Sequence, residues 1–72
     1  MSVSDQTYLA RTLTDRRRDA VQMNLAWSQL KGLGNEIDAY VLRWISERAI
    51  IADIRKEASN MLVSIQVAVP AA

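Results

Sequence analysis

The stretch "LTDRRRDAV" sets three arginines side by side, Arg16, Arg17 and Arg18, and is the densest chemistry in the chain. Guanidinium forks bind carboxylates and phosphates, so such a run suggests an anion site, a nucleic-acid contact or an internal ion pair. Successive residues on a helix diverge by about 100°, so on a continuous helix the three would not form one patch. Other chemistry is sparse. The sequence has no cysteine and no histidine, which removes the thiolate nucleophile, the commonest metal ligand and the commonest general base. Asp53 with Glu57, and Glu36 with Asp38, are carboxylate pairs, but they suit solvated helix surface better than a metal centre, which would need further ligands. No nucleophile stands with a base and an orienting group, so neither catalysis nor a cofactor is expected.

The elements that position these residues can be read from punctuation. Both glycines of the 72-residue chain lie in "KGLGN", Lys31 to Asn35, between two long segments of helical periodicity. Gly32 or Gly34 can adopt the left-handed conformation that closes a helix, and Asn35 with Asp38 reads as the cap of the next one. At the start, Ser2 or Ser4 is a candidate N-cap, with Asp5 near the positive end of the helix dipole. The pattern predicts one domain over residues 1–72, with helix 1 about 4–31, a loop at 32–35, helix 2 about 36–65 and an extended tail at 66–72. Val63, Ile65, Val67 and Val69 alternate as in a strand before Pro70, so the 63–69 segment reads as either helix or strand.

Folding at the glycines gives an all-α, antiparallel helical hairpin. Leu9, Leu13, Arg16, Ala20, Met23, Trp27 and Leu30 form a heptad-like stripe on helix 1. Ile37, Tyr40, Trp44, Glu47, Ile51, Ile54, Ala58, Met61 and Ile65 form its counterpart on helix 2. Each stripe has one charged member, and these two fall in adjacent layers. Arg16 and Glu47 are therefore expected to be a polar pair within the core that fixes register, with Arg17 on the flank and Arg18 on the opposite face.

From Ile37 to Ile54, twelve of eighteen residues are apolar and they surround the helix, more than one partner helix can cover. Helix 1 adds Val21 and Leu25 outside its stripe. Two hairpins are thus expected to dimerise into a four-helix bundle. The same surplus suggests a heterologous protein target, recognised through Val41, Leu42, Ile45, Arg48, Ile50, Leu25 and Arg18. With net charge +1, no basic and apolar leader in "MSVSDQTYLA" and no bilayer-spanning apolar run, a cytoplasmic protein is expected.

The function these features imply is a non-enzymatic regulator, of bacterial or phage style, that binds and inhibits or redirects a larger protein. An anti-activator masking a transcription factor or an assembly ATPase is one example. The alternative is nucleic-acid regulation. The expected bundle resembles, in architecture alone, the plasmid RNA-binding regulator called Rop, and the resemblance implies phosphate contacts through Arg11, Arg17 and Arg18. An enzymatic variant, with an anionic substrate held by Arg16, Arg17, Arg48 and Glu47, resembles the all-helical chorismate mutases, but their motif is missing from this sequence.

Overall fold

The computed structural model describes residues 1–68. They form four α-helices: α1 Val3–Thr12, α2 Ala20–Lys31, α3 Ala39–Arg48 and α4 Ala52–Ala68, with a single turn of 3-10 helix at Gly34–Glu36. No strand occurs among the described residues.

Local chemistry explains the helix starts. Ser2 caps α1, its hydroxyl accepting the Asp5 N–H at 3.2 Å, and Asp5 adds a negative charge in the first turn, where the helix dipole favours one. Asp19 and Gln22 form a reciprocal capping box at the start of α2: the Asp19 carboxylate accepts the Gln22 N–H at 2.8 Å and the Gln22 carbonyl accepts the Asp19 N–H at 3.2 Å. Asp38 caps α3 by accepting the Tyr40 and Val41 N–H groups. Gly34 takes a left-handed φ of 56°, but it opens the 3-10 turn, while α2 closes on Gly32 in the right-handed conformation.

The two uninterrupted helices expected from periodicity do not form, because each half of the chain is bent once. The first bend covers residues 13–19, where side chains compete for the backbone. The Thr14 hydroxyl donates to the Arg11 carbonyl at 3.0 Å, and the Asp15 carboxylate accepts the Arg17 N–H at 2.9 Å, bonds that favour a turn over helix. The second bend is at Ala49, whose ψ of 138° ends α3. The Ile50 N–H then leaves the helical ladder and donates to the Leu13 carbonyl at 3.0 Å. Asn35 lies in the 3-10 turn, so the cap of the following helix is Asp38 alone. The extended tail expected at 66–72 is helical through Ala68, which also decides 63–68 as helix. Residues 69–72 lie outside the described residues.

The core sits where these short helices meet. Met23, Ala26, Trp27 and Leu30 of α2 are buried at helical spacing, with Ile54 and Ala58 of α4 and Ile37 before α3. On α3 the buried face is Val41, Leu42 and Ile45, the last two fully inaccessible at 0%. Each such side chain contributes about 1.5 to 3 kcal/mol. Helix α3 packs along α4 while α1 packs on both α2 and α3. Within the core the Trp27 indole N–H has no partner among the described residues.

Candidate functional site

Two surface features remain once the core is closed. The first is a groove between α1 and α3. Helix α1 contributes Val3, Thr7, Ala10 and Arg11, at spacings that put them on one face, and α3 contributes Tyr40, Val41 and Trp44. The groove has a volume of about 440 Å³. Its walls are held in register by Gln6, a polar side chain only 3% exposed, whose carbonyl accepts the Asp38 N–H at 2.7 Å. That bond satisfies a helix N-terminal amide with a residue from another helix, so α1 is docked where α3 begins. Tyr40 is 84% exposed on this rim. Trp44 is half-buried, and the Arg48 guanidinium lies over its ring at 5.9 Å from the centroid, within cation–π range.

The second feature is a cleft on the side where the two bends touch. Arg16 and Arg18 come from the first bend, Arg48 from the last turn of α3 and Arg55 from α4, around Met23 and Ile50. Arg55 is fixed by its own backbone neighbours, donating to the Ala49 carbonyl at 2.6 Å and to the Ile50 carbonyl at 3.2 Å. Arg18 has a long contact of 3.8 Å with Asp15. No carboxylate pairs with Arg16, Arg48 or Arg55 among the described residues.

The residues singled out from sequence divide sharply. Leu42 and Ile45 are fully enclosed in the intrachain core and cannot receive a partner, while Val41 is buried there at 8% exposure and reaches only the wall of the groove; the bend at Ala49 lets α4 cover the face that a straight helix would have left bare. Arg48, Ile50, Leu25 and Arg18 are exposed, and Arg48, Ile50 and Arg18 share the arginine cleft. The core pair of Arg16 and Glu47 does not exist. Both side chains are exposed, and Glu47 instead pairs with Arg43 one turn back at 3.3 Å, because the layer matching that joined it to Arg16 required unbroken helices. Arg11, Arg17 and Arg18 likewise do not line one surface: Arg11 is on the α1–α3 groove and Arg18 in the cleft. Trp27 is buried as expected, whereas Tyr40 of the same predicted seam is not.

Sequence reasoning missed the convergence of Arg16 and Arg18 with Arg48 and Arg55. Part of the signal was present, since Asp19 and Gln22 stand at capping-box spacing directly after the arginine run. Nothing local marked the second bend, which is closed by Leu13 and Arg55. No three carboxylates gather as a metal site, and no helix is long and apolar enough to cross a membrane, among the described residues. The chain matches no known family model, no curated protein and no solved structure.

Proposed function

We propose that the protein is a small non-enzymatic regulator of the cytoplasm that docks a larger protein target in the groove between α1 and α3, inhibiting or redirecting it. The observation that carries this reading is Tyr40, standing 84% exposed beside Trp44 on an apolar groove. Tyrosine, tryptophan and arginine dominate binding hot spots because each offers a large contact area with a polar handle. Arg11 on the groove sets the chemistry of the occupant: a helical or extended segment with apolar anchors and a flanking carboxylate. A target whose own interface is such a segment, as when an anti-activator masks a transcription factor or an assembly ATPase, fits this requirement.

The test is comparative capture from the native host's nuclease-treated lysate, followed by binding to the purified target. The reading requires a stoichiometric protein held by the unmodified chain and by Val21→Glu with Leu25→Glu, but lost with Tyr40→Glu. Equal retention by Tyr40→Glu would exclude the groove.

A second reading is self-association, which the exposed Val21 and Leu25 on α2 favour, an i,i+4 apolar pair that the core leaves uncovered. A homodimer joined there would pair two copies of the four-helix subunit in place of the two-helix hairpins expected from the sequence, and it predicts a sedimentation mass that falls to the monomer in Val21→Glu with Leu25→Glu.

A further inference from the structure

We infer that the cleft of Arg16, Arg18, Arg48 and Arg55 is a second binding site, separate from the α1–α3 groove, that takes the phosphates of single-stranded nucleic acid. The argument begins with charge. Four arginines from three separate segments line one cavity of about 530 Å³, with only Asp15 pairing any of them, and that at 3.8 Å. Like charges gathered along one cavity favour an anion there, and guanidinium forks suit phosphate oxygens. Arg55 cannot turn away, because its two bonds to the Ala49 and Ile50 carbonyls hold the guanidinium beside the second bend.

The floor of the cleft decides between ligands. Met23 and the exposed Ile50 give it an apolar base. A free phosphate has no use for such a surface, and a duplex keeps its base faces stacked within. A single strand presents phosphates and an unstacked base together, so guanidiniums and floor are both engaged. An acidic peptide meets both only where apolar residues interleave its carboxylates, whereas every nucleotide of a strand carries a phosphate and a base face; competition by poly-glutamate tests for that rival.

The experiment is fluorescence anisotropy with a short labelled oligonucleotide of mixed sequence, as single-stranded DNA, single-stranded RNA and duplex, across a salt series. Tripolyphosphate and poly-glutamate serve as competitors. The expected result is single-strand binding that weakens with salt and falls roughly tenfold in Arg16→Ala with Arg18→Ala, while the log–log salt slope shrinks by about 1.4, or ~0.7 for each phosphate contact removed. The control variant, Lys31→Ala with Arg43→Ala, removes the same formal charge at exposed sites outside both the groove and the cleft and should lose much less, with circular dichroism showing that both variants retain their helices. Equal losses in the two variants would reduce the effect to general electrostatics and overturn the proposal. So would displacement by tripolyphosphate or poly-glutamate as effective as by unlabelled oligonucleotide, a preference for duplex, or no binding at low salt. None of these outcomes depends on Tyr40, so the site stands or falls separately from the groove.

Discussion

Between α1 and α2 the chain crosses residues 13–19 with its backbone groups met by close neighbours: Thr14 on the Arg11 carbonyl, Asp15 on the Arg17 N–H, and Asp19 with Gln22 at the cap. Between α3 and α4 it turns at residues 49–51 and looks further afield. There the Ile50 N–H reaches the Leu13 carbonyl, and the Arg55 side chain covers the carbonyls of Ala49 and Ile50. The first bend can form from local chemistry alone, whereas the second adds to its local bonds from Arg55 one across the fold, from the Ile50 N–H to Leu13 at the end of α1. The arginine cleft lies where the two meet, so its geometry depends on the less autonomous of the pair.

The largest test of that dependence is Leu13→Ala. Leu13 is 1% exposed, and a buried leucine truncated to alanine costs about 2 to 5 kcal/mol through lost transfer energy and the cavity left behind. Because the Leu13 carbonyl also anchors Ile50, loosening this residue should release the second bend. Denaturant unfolding should show the loss, and amide exchange at Ile50 should accelerate more than exchange in the first turn of α2. Equal acceleration at both places would mean the bends do not differ in autonomy.

Arg55→Met comes next. It keeps much of the aliphatic stem and removes the donors to two carbonyls, for an expected loss of about 1.5 kcal/mol, the low end for a charge-assisted bond because these bonds are partly in solvent. Its exchange signature should be confined to residues near Ala49 and the start of α4. A loss below a few tenths of a kcal/mol would show that water serves those carbonyls as well.

What was legible in the sequence follows the same division. The Ser2 cap, the left-handed glycine turn at Gly34, and the burial of Met23, Trp27, Leu30, Ile37, Ile54 and Ala58 are written in local pattern. The choice of face on α3 is not. The run from Ile37 to Ile54 is apolar on nearly every side, so periodicity alone cannot choose between the Tyr40–Trp44 line and the Val41–Ile45 line. Packing of α1 and α4 decides it, burying Val41, Leu42 and Ile45 and leaving Tyr40 in the open. The site residues follow from that choice: Arg16 belongs to a seam only if the chain runs straight through Thr14 and Asp15, where side-chain bonds turn it instead.

Asp19→Ala and Thr14→Ala probe the first bend with the smallest expected effects. Removing an N-cap carboxylate costs about 1 kcal/mol, and here the loss should be local, fraying the first turn of α2 while α4 keeps its exchange protection. Thr14→Ala removes one bond to the Arg11 carbonyl near the surface and should change stability by no more than about 0.5 kcal/mol. The two together test autonomy from the other direction. If Asp19→Ala costs as much as Arg55→Met and also opens α4, the Leu13–Ile50 bond has coupled both bends into one cooperative unit, and Arg16 and Arg18 are then positioned by the whole fold. If the damage stops at the first turn of α2, the segment bearing Arg16 and Arg18 is an independent arm, which closes on Arg48 and Arg55 through that single backbone bond.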